Sequence, residues 1–333
     1  MFVVSMLALT QTAVAQTLAP IHLTLDWKTQ GHHSMFYIAK EKGYFQKEGL
    51  DVTIDQGDGS SGVISRVMSG SFDAGYGDMN TVIEQAALRP DAAPVMVYMF
   101  QYRAPFTLAV PADGPIKSLS DLPGKTIGSS AGSAAFRLFP VLGRVNRVDL
   151  ATTKVTNVQP SMQEQLLIKG EIDGVLNYSS TTYMNLYLMK KDPAKDFRWF
   201  DFYDNGMDLY ANGILVSRKL AQEKPEAVRG LLRALNQGFR DMVNDPDAAI
   251  ALLVRGNPML DGKVEKLRMN FIFKNLYRSS EYSSIGFGDV EDARLTRSIG
   301  VLKEAFNLPR VPSSSEVFDR SFLPARNLRT FAF

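Results

Sequence analysis

The chain of 333 residues contains no cysteine. It therefore has no disulfide framework, no thiol nucleophile, no cysteine metal site and no lipoprotein-type anchor cysteine. Lys and Arg total 37 and Asp and Glu total 35, without a long run of one sign, so nothing indicates nucleic-acid binding. No stretch reaches the roughly 18 apolar residues of a membrane-spanning helix. Hydrophobic residues are nevertheless 45% of the chain, which is enough for a large globular core.

Signatures of several enzyme and metal sites are also missing. The sequence has no Walker-type phosphate loop and no H-E-x-x-H pair. Of its three histidines, His32 and His33 are adjacent, so from a regular helix or strand they are not expected to point at one metal ion. We therefore expect no metal, no cofactor and no catalytic residue.

The N-terminal segment predicts export. Residues 1–15 are apolar and end in Ala13-Val14-Ala15, the small-x-small pattern of a signal-peptide cleavage site. We expect a cleaved signal peptide, a mature chain that starts near Gln16, and a periplasmic location in a Gram-negative bacterium. The length suits about two domains.

The segment after residue 20 predicts the first part of a binding site. Apolar and polar residues alternate over 21–25, which indicates a strand with one buried face. A polar loop with Trp27 and His33 follows, and helical spacing then carries Tyr37 up to Gly43. Loops at the carboxyl ends of strands are where open α/β sheets bind ligands, so we expect Trp27, His33 and Tyr37 to contact a ligand.

Two loops of small residues predict further ligand contacts. Each precedes a predicted helix, where free backbone N–H groups and hydroxyls can bind a ligand oxygen. The alternative for the first loop is simple helix capping. The candidate residues are Ser60, Ser61, Ser129, Ser130, Gly132 and Ser133.

A repeated pattern predicts two similar lobes. Asp73 and Asp173, 100 positions apart, both stand in a Gly-x-apolar-Asp sequence before a short strand and a polar helix start. Such a unit in each of two lobes would place two sets of strand ends across a cleft. The candidate cleft residues are Asp78, Met79, Asn80, Tyr178, Ser179 and Tyr183.

Turn residues and apolar strands predict where the chain crosses between the lobes. We expect the first crossing just before Pro111 and the second near Asp204–Asn212, with Asp204 and Tyr210 close to the ligand. Lobe 1 is then residues 16–110 plus 211–333, and lobe 2 is residues 111–210. The helical C-terminal part is expected to pack on lobe 1.

The pattern D-W-x5-H-x3-Y-x-A-x2-K-G-Y-F-x-K-E-G-L-D-V, from Asp26 to Val52, resembles the opening of a substrate-binding protein family. This is the family of nitrate, sulfonate and taurine ABC importers, which includes a thiamine-pyrimidine-synthase-like branch. Residues 118–127 resemble the start of its second lobe. The resemblance implies a type II periplasmic binding protein, with two doubly wound α/β lobes joined by a two-strand hinge. It also implies a protein that closes on one small molecule and delivers it to an ABC permease and its ATPase. Because the chain lacks cysteine and begins with a predicted signal peptide, we expect no enzymatic activity, and we expect a monomer.

The predicted ligand is a small polar molecule, partly aromatic or heteroaromatic, such as a pyrimidine-type precursor. Aromatic residues near the predicted strand ends can clamp a flat ring. A sulfonate or aromatic carboxylate is the first alternative, and a ligand-sensing module with a signalling partner is another. A third alternative is an enzyme like the thiamine-pyrimidine synthases, whose consumed histidine lies in the loop that matches His33. Those enzymes also use a cysteine-rich segment with iron, which this chain lacks because it has no cysteine.

Overall fold

The computed structural model describes residues 17–331, so the expected signal peptide lies outside the described residues. Two five-stranded sheets form its framework. The strands of the first sheet are β1 Ala19–Thr24, β2 Leu50–Asp55, β3 Ala74–Asp78, β4 Val95–Met99 and β10 Asn212–Val216. Those of the second are β5 Phe106–Pro111, β6 Thr126–Ser129, β7 Lys154–Asn157, β8 Gly174–Tyr178 and β9 Phe197–Asp201.

Both sheets have the same mixed topology. The first has the order β2-β1-β3-β10-β4, and the second has the order β7-β6-β8-β5-β9. In each, four strands run in the same direction, and the fourth strand along the order runs antiparallel to both of its neighbours. That fourth strand is contributed by the part of the chain that has just crossed from the other sheet. We call each sheet with its packed helices the first and the second lobe.

Helices cover the sheets and form most of the C-terminal third. The first ones are α1 Ser34–Glu41, α2 Tyr44–Lys47, α3 Ser60–Met68, α4 Met79–Leu88, α5 Ala134–Val145, α6 Gln163–Lys169 and α7 Ser179–Leu188. The later ones are α8 Arg218–Glu223, α9 Pro225–Asn244, α10 Pro246–Gly256, α11 Gly262–Ile272, α12 Ser280–Ile285, α13 Asp292–Phe306 and α14 Ser314–Val317. A short 3-10 turn, Gly31–His33, leads into α1. Among the described helices, we find none with the length and apolar character that crossing a membrane requires.

The predicted repeat is confirmed. β3 and β8, and likewise α4 and α7, begin and end 100 positions apart. Asp73 and Asp173 also make equivalent hydrogen bonds, because each carboxylate accepts a backbone N–H from the adjacent parallel strand. The distances are 2.9 Å from His22 N to Asp73 Oδ2 and 2.8 Å from Thr126 N to Asp173 Oδ2.

The position of the first crossing corrects the prediction. Residues 106–111 form β5, which pairs with β8 and β9 of the second lobe. The chain therefore crosses between Met99 and Phe106, and not just before Pro111. Both β4 and β5 are buried almost throughout, so their apolar sequences did not reveal which sheet each strand joins. The second crossing lies between Asp201 and Asn212.

The C-terminal helices contact both lobes. α9 packs against α1 and β2 of the first lobe, as the sequence led us to expect. However, α11 also packs against α7, and α13 packs against α5, both in the second lobe. The Arg268 guanidinium on α11 donates to the Ser180 carbonyl at 3.0 Å, and the Arg144 side chain on α5 donates to the Glu304 carbonyl at 3.1 Å.

Candidate ligand-binding site

A narrow cavity of about 10 Å³, room for about one water molecule, lies between the two lobes, and we call it the cleft cavity. Loops at strand ends and the first residues of helices line it, which is where open α/β sheets present ligand contacts. From the first lobe and the crossing segment come Asp26, Trp27, Gln30, His32, Gly59, Ser60 and Gln101. From the second lobe come Ser133, Asn177, Tyr178, Ser180 and Thr181.

A buried polar chain lies along one side of the cavity. The Gln30 backbone N–H donates to His33 Nδ1 at 3.0 Å, so the His33 proton must be on Nε2, which donates to Asp26 Oδ1 at 2.8 Å. The other Asp26 oxygen accepts from Asn212 Nδ2 at 2.7 Å. Both nitrogens of the predicted ligand contact His33 are therefore already used within the protein, and His33 is 0% exposed.

His32, rather than the predicted His33, has the imidazole whose nitrogens are not engaged. Neither of its ring nitrogens has a hydrogen-bond partner in the described chain, although the residue is only 3% exposed and lines the cleft cavity. Burial lowers the pKa of His32 well below its usual value, with smaller contributions from His33 and Arg268, so the ring is neutral at pH 7. A neutral imidazole offers one donor and one acceptor.

The geometry of the two histidines corrects a second expectation. Because they lie in a 3-10 turn rather than a regular helix or strand, their rings lie next to each other, tilted by 46°, with centroids 3.9 Å apart. Donor atoms of Asp26, His32 and His33 all lie within 4.8 Å of one another. A metal ion held by all three would have to displace the hydrogen bond between His33 and Asp26.

Two second-lobe groups face the same cavity with unused hydrogen-bonding capacity. Ser133 Oγ and Asn177 Nδ2 are buried and have no partner within residues 17–331. The half-buried Trp27 forms part of the wall. No Lys or Arg of the described chain lines the cavity, and the Asp26 carboxylate is engaged by two donors. The wall therefore combines an aromatic surface with uncharged donors and acceptors.

The lobes touch each other around the cavity. Tyr178 Oη lies 2.7 Å from Ser60 Oγ, and Gln30 Nε2 donates to Thr181 Oγ1 at 3.2 Å. The Ser61 backbone N–H donates to the Gly132 carbonyl oxygen at 3.2 Å. Farther out, Arg137 of the second lobe pairs with Glu84 of the first. The conformation is closed.

Two glycine patterns that are typical of enzymes lie at this contact. Residues 57–62 match G-x-G-x-x-G, which is typical of dinucleotide-binding loops, and residues 128–132 match the G-x-S-x-G pattern of hydrolase nucleophiles. The structure gives both a different use, because Gly59 and Gly132 meet backbone to backbone between the lobes. Ser130 Oγ donates to the Asp58 carbonyl at 3.4 Å, which leaves it without a base partner of the hydrolase kind.

Four of the predicted site residues line the cleft cavity, and the others lie elsewhere. The lining residues are Trp27, Ser60, Ser133 and Tyr178. Asp78 caps α4, and burial raises its pKa to about 6. The Asn80 amide donates to Asp78 and to the Tyr210 carbonyl.

Several of the other predicted residues are close to the cavity but are engaged with protein groups. Ser61 Oγ contacts Thr81 Oγ1, Ser129 Oγ donates to the Leu176 carbonyl, and Gly132 and Ser130 make the interlobe contacts described above. The backbone N–H groups of Met79 and Ser179 donate to the carbonyls of Ala211 and Pro105.

The remaining predicted residues lie away from the cavity. Tyr37 bonds Thr29 and lines a separate pocket near α10, and the Tyr183 ring packs between Trp199 and Phe271. Exposed Asp204 pairs with Arg103. The Tyr210 hydroxyl donates to Glu281, beside Arg294.

Most of the lining residues missed from the sequence are neighbours of predicted ones. His32, Ser180 and Thr181 stand beside His33 and Ser179, and Asn177 precedes Tyr178. The strand ends in the sequence indicate where the cavity lies. Which of two adjacent side chains faces the cavity depends on the local turn, which the sequence does not reveal.

Comparison with known proteins assigns the chain to a family. Residues 30–249 match the family described as NMT1/THI5 like. The formylaminopyrimidine-binding protein of Halalkalibacterium halodurans is 26% identical over 242 residues, 72% of this chain and 71% of the relative. The riboflavin-binding protein RibY of Chloroflexus aurantiacus is 22% identical over 315 residues, 92% of this chain and 87% of the relative.

Enzymes are also among the relatives. The 4-amino-5-hydroxymethyl-2-methylpyrimidine phosphate synthase of Schizosaccharomyces pombe is 23% identical over 230 residues, 66% of this chain and 65% of the relative.

Solved structures confirm the predicted type II periplasmic binding protein fold. The alkanesulfonate-binding protein SsuA from Xanthomonas axonopodis pv. citri, bound to MOPS, superposes with a TM-score of 0.66 at 17% identity, over 91% of this chain and 99% of that one. At this identity the likeness concerns the fold alone. The chain therefore belongs to the NMT1/THI5-like family and has the fold of the solute-binding components of sulfonate- and nitrate-type ABC importers.

Proposed function

We propose that this protein is an extracytoplasmic solute-binding protein that captures a small, uncharged, planar heteroaromatic molecule between the lobes, at the cleft cavity, which widens to admit it when the lobes part. It then delivers this molecule to an ABC permease and its ATPase. The observation that carries the proposal is the set of unused polar atoms on the wall, on His32, Ser133 and Asn177, beside the Trp27 indole. Buried polar groups without partners are costly, so a ligand that pairs with them gains affinity.

The charge of the wall favours a neutral ligand over a sulfonate or carboxylate. No cationic side chain of the described residues lines the cavity. Helix starts can also bind anions through backbone N–H groups. However, the Ser61 N–H donates to Gly132 and the Ser179 N–H donates to Pro105, so these two amides are already occupied.

The relatives support a nitrogen heterocycle. The names of the two binding-protein relatives refer to a formylaminopyrimidine and to riboflavin, which both contain flat nitrogen-bearing rings. A ring of this kind can stack on an indole and present donors and acceptors at its edge. His32 and Asn177 offer the complementary groups.

Native mass spectrometry of the purified protein tests the proposal. We expect a bound small molecule whose exact mass fits a neutral heteroaromatic compound. Calorimetric titration with that compound then compares His32→Ala with the control His22→Ala, which changes an exposed histidine of β1. Loss of a hydrogen bond to a buried ligand costs about 1–3 kcal/mol, so His32→Ala should weaken binding roughly five- to 150-fold and His22→Ala should not. Equal affinities of the two variants would contradict the proposal.

One observation favours a second candidate, an enzyme like the pyrimidine phosphate synthases. Asp26, His32 and His33 place three metal-ligating donors within 4.8 Å. Two observations count against the enzyme. His33 Nε2 and Asp26 Oδ1, which would have to bind the metal, are hydrogen-bonded to each other, and the chain has no cysteine. Titration with Fe²⁺ or Zn²⁺ separates the two candidates. Tight binding that His33→Ala abolishes would favour the enzyme, whereas absent or nonspecific binding favours solute capture.

A further inference from the structure

Tyr178 of the second lobe reaches into a polar site on the first lobe. Its hydroxyl donates to Asn212 Oδ1 at 2.8 Å, and the Ser60 hydroxyl lies 2.7 Å away on the other side. Asn212 is on β10 and Ser60 begins α3, so two separate elements of the first lobe hold one side chain of the second. The Tyr178 ring rests on Phe106 of its own lobe, with centroids 5.5 Å apart.

The receiving site is held in one orientation. Asn212 Nδ2 is committed to Asp26 at 2.7 Å, which leaves Oδ1 to accept from Tyr178. Asp26 is fixed in turn by His33, and His33 by the backbone N–H of Gln30. Burial, together with the nearby Asp78 and Asp26, raises the pKa of Tyr178 well above its usual value, so its hydroxyl remains a donor.

We propose that Tyr178 is the positioning residue that holds the two lobes closed, by inserting its hydroxyl between Asn212 and Ser60 of the first lobe. These two hydrogen bonds exist only when the lobes are together. In an open form, water would satisfy all three groups. The residue therefore sets the closed-to-open ratio of the two lobes.

Substitution of the hydroxyl should shift this ratio without disturbing either lobe. Tyr178→Phe keeps the ring on Phe106, but it leaves Asn212 Oδ1 without its donor in the closed form. We expect a roughly tenfold fall in the closed-to-open ratio, the usual size for one or two such bonds. The matched control is Tyr98→Phe, which removes a hydroxyl that donates to Asn236 at 2.8 Å within the first lobe.

Amide hydrogen exchange of the ligand-free protein measures the ratio directly. The Ser61 N–H donates to Gly132 across the lobe interface and exchanges only when the lobes part, whereas the neighbouring Gly62 N–H donates to Gly59 within the first lobe. Tyr178→Phe should speed exchange at Ser61 about tenfold and leave Gly62 unchanged, and Tyr98→Phe should leave Ser61 unchanged. Should Tyr178→Phe fail to fold, Ser60→Ala removes the other partner and should also speed exchange at Ser61.

Two results would overturn the proposal. One is a Ser61 amide that is already unprotected in the unmodified protein, because the lobes would then not be held closed. The other is equal exchange at Ser61 in the unmodified protein and in Tyr178→Phe. Because no ligand is present, either result leaves the proposed solute-binding function untouched, and failure of that function would appear instead in the native mass spectrum and the titrations.

Discussion

Replacement of Gly59 by alanine should block lobe closure while leaving the lobes folded. A Cβ at this position would lie 2.0 Å from the Gly132 carbonyl oxygen, whereas Cβ atoms essentially never approach other atoms closer than 3.0 Å. Both partners are backbone, so no side chain can move aside. The two loops must therefore separate by about 1 Å or more, which breaks the bond from Ser61 N to Gly132 and stretches that from Ser130 to Asp58.

The expected effect on affinity follows from the bonds lost. Loss of two or three interlobe hydrogen bonds, at about 1 kcal/mol each, destabilises the closed form by roughly 2–3 kcal/mol. Ligand binding should then weaken roughly 30- to 150-fold. A separate cost falls on folding, because Gly59 has a φ of 151°, a conformation that other residues rarely adopt. This strain should lower the free energy of unfolding by about 1–3 kcal/mol.

The matched control lies three residues away. A Cβ on Gly62 meets nothing within 4 Å, and the residue is inside α3. Gly62→Ala should therefore leave affinity unchanged and raise stability by up to about 1 kcal/mol through helix propensity. Calorimetric titration with the co-purifying ligand and thermal unfolding of both variants separate the two effects. A Gly59→Ala protein that binds as tightly as the unmodified one would refute the reasoning.

Three further results are expected. Trp27→Ala should weaken ligand binding by roughly 1–3 kcal/mol in calorimetry, through loss of a buried aromatic contact, and an unchanged affinity would remove Trp27 from the site. Because burial lowers the pKa of His32, its native form resists protonation, so the protein should lose stability as the pH falls below the usual histidine value of 6.5. In urea unfolding at several pH values, His32→Phe should flatten this dependence, and identical pH profiles would count against a buried neutral imidazole. Arg268→Met leaves the Glu265 carboxylate buried without its cation, so it should lower the free energy of unfolding in urea by about 3–5 kcal/mol. Arg255→Met, which removes an exposed ion pair, should change that free energy by no more than about 0.5 kcal/mol. Equal losses in the two variants would show that the buried pair contributes little to stability.

Much of the framework could be predicted because it depends on local sequence. The alternation of apolar residues from Ile21 gives β1, and the two Gly-x-apolar-Asp segments give matching strand–helix units 100 residues apart. The assignment of strands to sheets could not be predicted in the same way. β5 and β4 are both buried and apolar, so only long-range pairing decides that β5 joins the second lobe.

The candidate site was harder to predict than the fold. Trp27 and Tyr178 line the cavity as expected, because strand ends reliably mark the cleft. The sequence indicates His33, but it does not reveal the 3-10 turn, which directs the His33 ring to Asp26 and the His32 ring to the cavity. Residues such as Tyr37 and Asp204 stand in polar loops in the sequence, yet packing directs them to other surfaces.

We propose that the cleft binds an uncharged heteroaromatic ring between Trp27 and the free polar groups of His32 and Asn177. Calorimetric titration of the ligand-free protein with a neutral aminopyrimidine and, separately, with an alkanesulfonate of similar size tests it most directly. We predict saturable binding of the aminopyrimidine, weakened by His32→Ala, and no measurable heat from the sulfonate. Saturable binding of the sulfonate without binding of the aminopyrimidine would contradict the claim.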